Sequence, residues 1–454
     1  MKNVIFLVFL ICFTILSATI INIPVDYATI QEGLNVAVDG DTVLVAPGTY
    51  YENIIWPEVD GIVLISEIGA EHTIIDGAGI SNTIEIDDQY SPVSITNSTI
   101  IDRFTIRKGN GFVGGGISLR DADPIIKNCI IENNSAEEGG GIFHSGSGAI
   151  IRNNIIRNNS CSDGSAIGLN GSSAAVFYNE IYDNNGRRTI NCYQTDNHSI
   201  YNNEIYNNNG RGIHLLSVVN CLIENNNIHH NTANGISPNG GGFFIYSSNL
   251  EIIGNQIHHN DALSNGGGIY LAYGPSLTLV QENDIYCNTA GDDGDGLHCV
   301  SSYDTLNAVN NWWGNESGPY NELLNPNGTG NEVYGEVDFI PWSSDPFYPP
   351  VGIENKNLEL NIFSILKQNY PNPFNPITTI KFSIQNNSEI ELVVYNIKGQ
   401  KLKSLTNKEF IKGNHSVIWN GNDDLGNPVS SGIYYYLLNV NGKTEAVKKC
   451  LLLK

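Results

Sequence analysis

Between Asp102 and Asn315 one unit recurs about every 25 residues, a period too short for an independent domain and right for one coil of a solenoid. Each unit places an Asn, a large apolar residue two positions on, and a second Asn five positions after the first. Eight units fit. The first Asn positions are Asn128, Asn153, Asn179, Asn203, Asn226, Asn255, Asn283 and Asn310. The second are Asn133, Asn158, Asn184, Asn208, Asn231, Asn260, Asn288 and Asn315. Between them lie Ile130, Ile155, Ile181, Ile205, Ile228, Ile257, Ile285 and Trp312, spaced 25, 26, 24, 23, 29, 28 and 27 residues apart. Insertions of that size belong in turns.

The unit is β rather than α. Its apolar runs are two to five residues long, rich in Ile, Val, Phe and Tyr, and punctuated by Gly and Asn. No run carries an apolar stripe at helical spacing. A coil of ~25 residues, at ~3.3 Å per residue, is three short strands and three turns. Coils stacked at ~4.8 Å put equivalent residues above one another, so the Ile column becomes a dry core and the Asn columns become amide ladders. The expected fold is all-β: a parallel β-helix over residues 20–342 with an N-terminal cap. The cap is a short helix near Ile30 to Ala37, which would close the open end of the stack.

The chain has 454 residues and a formal net charge of −24. The charge is unevenly placed. Residues 351–454 hold 12 Lys against 8 acidic residues; the remainder holds 11 basic against 39 acidic. An acidic body of this kind repels nucleic acid and anionic membrane, and disfavours an anionic polysaccharide unless cations bridge. Residues 1–18 read as a signal peptide: Lys2 at the positive end, an apolar run from Val4 to Leu16, then Ser17-Ala18-Thr19. No later stretch is long and apolar enough to span a membrane. Beyond Cys12, seven Cys remain without CxxC pairs or regular spacing, which suits small buried hydrophobes better than disulfides or zinc ligands.

The segments ATIQEGLNVAVDGDTVLVAPGTYYENI, EHTIIDGAG and TIIDRFTIRKGNG, the GGGI turns and the terminal NNWWG resemble the right-handed parallel β-helix, pectin-lyase-like superfamily. The resemblance implies the fold. It implies no single activity, since the superfamily holds lyases, hydrolases and adhesins. Residues 343–362 read as a Pro-stiffened linker. After them the repeat vanishes and alternating strands appear: ITTIKFSI, EIELVVYNI, HSVIWNG, GIYYYLLNV and AVKKCLLLK, the pattern of a small β-sandwich. Residues 363–454 resemble the Ig-like C-terminal sorting domain of bacterial type IX secretion, on QNYPNPFNPITTIKF, VYNIKGQ, WNGNDDLGNPVSSGIYYYLL and KKCLLLK. The domain is similar to that of the flagellar hook-capping protein. That resemblance implies a Gram-negative source of the Bacteroidota type, handling by the type IX machinery, and a secreted or surface-attached product.

Chemistry is read from the strands that follow the Gly turns. If Ile117, Ile142, Ile167, Ile190, Ile213, Phe243, Ile269 and Leu297 point inward, alternation puts Phe143, Tyr193, His214, Phe244, Tyr246, Tyr270 and His298 on one exposed face. Exposed rings in a line can stack on sugars, so these seven are the candidate polysaccharide-binding residues. A second outward column is Tyr182, Tyr206, His229, His258, Tyr286 and Trp313; the pairs His229-His230 and His258-His259 have the ligand type for a divalent metal, but the favoured reading of them is solvated turn residues. Asp292, Asp293 and Asp295 form an oxygen-rich loop of the Ca2+-holding kind, but no acidic partner lies one coil away. No other cofactor is implied.

Arg120, Arg152, Arg157, Arg187, Arg188 and Arg211 stand in no lyase string, and no paired-Asp signature of a glycoside hydrolase is present. The favoured reading is an exported, non-catalytic solenoid that binds glycan or another surface ligand along its aromatic face. The alternative is a polysaccharide lyase or glycoside hydrolase, for which an acid and an Arg converging beside Tyr246 and Tyr270 would speak.

Overall fold

The computed structural model describes residues 18–347 apart from 147, 274–277 and 301–304, and most of 365–453. The signal-peptide segment and most of the linker lie outside the described residues. Contacts divide the chain into two compact units, Met1–Pro349 and Pro350–Lys454.

The first unit is a right-handed parallel β-solenoid of about 11 turns. Three parallel sheets run its length. The first has 13 strands, from Ile20–Ile23 to Val337–Asp338; the second runs from Ile54–Ile55 to Val333–Gly335; the third has 10 strands, from Gly48–Tyr50 to Asp284–Tyr286. The helix Ile30–Val36 caps the N-terminal end. Thr29 and Glu32 form a capping box, and Ile30 and Leu34 are buried against the first coil.

Both expected ladders exist, each one residue out of register with the sequence expectation in places. The first runs from the backbone N–H of Cys129 through Asn154, Asn179, Asn203, Asn226, Asn255 and Asn283 to Asn311. Successive side chains join Nδ2 to Oδ1 at 2.9–3.0 Å. The second joins Asn134, Asn159, Asn184, Asn208, Asn231, Asn260, Asn288 and Asn331 at 2.9–3.3 Å.

Asn128, Asn133, Asn153 and Asn158 are the exposed residues one step earlier, with φ between 53° and 57°. The reason lies in the doublets Asn133-Asn134, Asn153-Asn154 and Asn158-Asn159. Each supplies one left-handed turn residue and one buried amide, and Asn suits both roles. At the C-terminal end Asn311 and Asn331, not Asn310 and Asn315, complete the ladders. The same one-residue shift makes Ile131, Ile156 and Trp313 the fully buried core members, continuous with Ile181, Ile205, Ile228, Ile257 and Ile285. Ile130, Ile155 and Trp312 are half-buried on the outer face.

Of the seven free cysteines six are buried, as expected for small hydrophobes, and Cys287 is exposed. Cys129 occupies the first ladder position in place of Asn.

His198 is buried just before the first-sheet strand Ser199–Tyr201, its Nδ1 accepting from the Ala174 N–H at 2.9 Å. Burial pushes its pKa from 6.5 down to about 4. A neutral buried imidazole contributes its full stability above the unfolded value, and the contribution is lost as pH falls from 6.5 toward 4. Thermal unfolding at pH 7.5 and 4.5 is expected to show a loss of about 3 kcal/mol from this group alone. In His198→Gln the acid sensitivity should shrink by a similar amount; an unchanged pH dependence would show that His198 does not carry it.

The second unit holds a three-stranded antiparallel sheet (Ile365–Leu366, Thr378–Ile384, Gly413–Trp419) and a four-stranded one (Lys401–Phe410, Ser388–Asn396, Gly432–Val440, Lys443–Leu452). Phe374, Ile380, Phe382, Val394, Trp419, Tyr436 and Leu452 share one buried core, fitting a small β-sandwich.

Candidate ligand-binding face

The strands after the Gly turns pair in the expected register. Their outward column runs Ser118, Phe143, Gly168, Asn191, His214, Phe244, Tyr270, His298 and Tyr334. Its rings stack from His214 to Tyr334 at 4.8–5.4 Å. The column is not, however, an open face. Phe143, His214 and His298 are only 6%, 3% and 6% exposed, and Phe244, Tyr246 and Tyr270 are half-buried. Tyr193, at 37%, is the open member.

The cause is the Gly turn itself. In the coils of Phe143, Gly168, Phe244, Tyr270 and His298 a glycine with positive φ folds back across the strand it introduces: a Cβ at Gly139 would lie 2.9 Å from the Phe143 Cα, and one at Gly294 would lie 2.7 Å from the His298 Cβ. Strand alternation alone does not reveal a turn that covers its own strand.

Arg211 adds to the cover. Its guanidinium lies 4.4 Å from the centre of the Phe244 ring, and its Nε donates to Asn239 O at 2.7 Å. Burial pushes its pKa down to about 10. It is thus a packed residue that ties down a loop. Asp163 is held by Arg188 at 2.9 Å. Asp183 sits in a left-handed turn after the third sheet, in a different column. In the 292–295 loop, Asp292 accepts from Ser264 Oγ at 2.7 Å and Asp295 accepts from the Ala290 N–H at 2.7 Å. Among the described residues no group of three or more His, Cys, Asp or Glu side chains is placed to hold a metal ion.

The third sheet carries the longer half-exposed ladder. One outward column reads Asp76, Arg107, Glu132, Arg157, Tyr182, Tyr206, His229, His258 and Tyr286. Its first half alternates charge: Arg107 Nε meets Asp76 at 2.8 Å and Arg157 Nε donates to Glu132 at 2.8 Å. Its second half stacks rings, with centroids 5.0, 5.1, 4.9 and 4.7 Å apart and planes within 17°. Trp312 ends the row, tilted 57° to Tyr286, in the place expected of Trp313.

Rings stacked along the solenoid axis cover each other's faces and present their edges. Those edges are polar and organised. Arg157 donates to Tyr182 Oη at 2.9 Å, and Tyr206 Oη donates to Glu180 at 2.7 Å. His229 Nε2 lies 2.9 Å from Glu204 Oε1, and His258 Nε2 lies 3.0 Å from Asn227 Oδ1. Burial and the Glu180 carboxylate raise the Tyr206 pKa far above its usual value, so its proton stays on the hydroxyl. Beside this row runs a second column of half-buried Glu180, Glu204, Asn227 and Gln256, which ends on the fully buried Asp284. The result is a flat polar strip rather than a groove with converging acids.

Three families match parts of the chain. Right handed beta helix region matches residues 165–320. Periplasmic copper-binding protein (NosD) matches residues 34–237. Secretion system C-terminal sorting domain matches residues 368–453. No curated protein matches.

Among solved structures the chain is similar to the A-module of a mannuronan C-5 epimerase from Azotobacter vinelandii, at 17% identity and TM-score 0.39, covering 68% of this chain and 93% of that one. It is also similar to a PL6-family alginate lyase, at 14% identity and TM-score 0.33, covering 64% and 51%. A tailspike protein of the Escherichia coli O157:H7 bacteriophage CAB120 matches at 11% identity and TM-score 0.42, covering 96% and 68%. Likeness at this level concerns the fold alone. No helix among the described residues is long and apolar enough to cross a membrane. The chain is a right-handed parallel β-helix repeat protein joined to a secretion-system C-terminal sorting domain.

Proposed function

We propose that this protein is an exported, non-catalytic solenoid, released or held at the cell surface, that binds an extended neutral glycan along the third sheet. The observation that carries the reading is the strip from Tyr182 to Trp312: polar-edged rings repeated at every coil, beside a parallel row of carboxylates and amides. A linear polyhydroxylated chain laid along the axis would meet the same donors and acceptors at each step. It would be recognised by hydroxyl contacts to ring edges rather than by stacking on ring faces, which the neighbouring coils already cover. The acidic body favours a neutral ligand over an anionic one. The sorting domain supports handling by a secretion system.

A polysaccharide panel titrated onto the protein tests this. Neutral polymers are expected to bind, and Tyr182→Ala with Tyr206→Ala should weaken binding about tenfold, ~1.4 kcal/mol. New reducing ends or unsaturated uronates would overturn the non-catalytic reading. Undiminished binding by the double variant would move the ligand off this face.

A further inference from the structure

The third sheet ends twice, in adjacent coils, on a His-His step: His229-His230 and His258-His259. The first residue of each lies in the outward column. The second has φ of 54° or 52°, at a position that other coils fill with Asn133, Asn158, Asp183, Asn207 and Cys287. The left-handed kink turns the second ring to 85° or 87° from the first. It brings the two Nδ1 atoms to 2.8 Å in one step and 2.9 Å in the other.

The far nitrogens are fixed by neighbours. Glu204 can only accept, so His229 carries its proton on Nε2 and turns the Nδ1 lone pair toward His230. Asn227 donates its amide to the same Glu204 oxygen at 2.9 Å, which points Asn227 Oδ1 at His258 Nε2 and sets the same tautomer there. In the metal-free protein His230 and His259 each donate Nδ1–H to the partner ring. Moving that proton to the ring's own Nε2 leaves two lone pairs facing the space between the rings, and rotation of the two rings aims them at a common ion. Two nitrogens bound cis to a first-row metal ion at ~2.0–2.1 Å are ~2.9 Å apart, the spacing found here.

We infer that each His-His step is a two-nitrogen site for a divalent cation that favours cis imidazoles, of the Ni(II) or Cu(II) kind, with water completing the coordination. Glu204, and through it Asn227, are positioning residues in the manner of carboxylate–histidine–metal triads. The steps lie 4.9 Å apart, so two dications would repel and the first equivalent dominates.

The test is calorimetric titration of Ni(II) into the tag-free protein in a Cys287→Ser background, which removes the exposed thiol from competition. Saturable binding near one equivalent is expected. His230→Asn with His259→Asn should weaken it at least tenfold; Asn stands at the equivalent position 207, so the turn is preserved. Equal affinity in both proteins would overturn the site. Should the double variant fail to fold, Zn(II) titration of histidine-labelled protein decides by 15N shifts. Movement of the His229 and His230 Nδ1 signals supports the site, and movement confined to Nε2 contradicts it. Glycan binding measured in chelator is a separate readout, so either proposal can fail alone.

Discussion

Asn231→Ala is expected to cost about 4 kcal/mol of stability, far more than an average polar substitution. The Asn231 side chain donates to Ile205 O at 2.9 Å and to Asn260 Oδ1 at 3.0 Å. Its Oδ1 accepts from the Asn208 backbone N–H at 3.2 Å and the Asn208 Nδ2 at 2.9 Å. All four bonds are buried. Truncation removes them together and strands the Asn208 backbone N–H in a dry column, where water cannot replace the lost partner, while Asn208 Nδ2 is left with Ile181 O and Tyr206 O. Each stranded group costs ~1–3 kcal/mol. Asn158→Ala, one coil-corner position away in kind, removes only a preference for the left-handed turn at an exposed residue and should cost about 1 kcal/mol. Urea unfolding of the two variants compares them directly. Similar small losses would mean that the ladder amides are not the structural columns described above.

Removal of residues 350–454 should abolish appearance of the protein outside the cell while leaving the solenoid folded. Unit Met1–Pro349 has its own continuous core, from Ile21 to Phe339, and the second unit has a separate one built on Phe374, Trp419 and Tyr436. Among the described residues the two cores share no member. The truncated protein is therefore expected to keep its thermal midpoint within about 2 °C and to stay in the cell fraction. A truncated protein that unfolds would refute the independence of the solenoid. Undiminished export would refute the sorting role of the C-terminal unit.

The period, the strand class and the helical cap were legible in the residues because they depend on spacing and on side-chain chemistry that one coil repeats in the next. The one-residue register was not, at Asn133-Asn134, Asn153-Asn154 and Asn158-Asn159. Both members of each doublet are chemically fit for the ladder, and only the backbone decides which is buried. A consistent signal was nevertheless present in the isolated amides Asn179, Asn255 and Asn283, each following a single turn residue. Counting back from them in steps of one coil reaches Asn154 and Cys129, not Asn153 and Asn128.

The outward face of the second sheet was misjudged for a different reason. Alternation correctly placed His214, Phe244, Tyr270 and His298 in one row, but the cover over Phe143, Gly168, Phe244, Tyr270 and His298 comes from Gly139, Gly164, Gly240, Gly266 and Gly294 curling back over the strand. Glycine's lack of a Cβ permits that approach, and nothing in the strand residues announces it. The third-sheet row escaped this cover because its turns kink outward at Asn207, His230 and His259. A turn of that kind leaves the preceding residue half-open.

The most direct test of the binding account is a hydrogen-exchange footprint of the solenoid with and without the tightest-binding neutral polysaccharide. Protection is expected in Glu180–Tyr182, Glu204–Tyr206, Asn227–His229 and Gln256–His258, with the strands Phe243–Tyr246 and Ile269–Ala272 unchanged. Protection of those second-sheet strands instead, or none on the third sheet at saturating polymer, would contradict it.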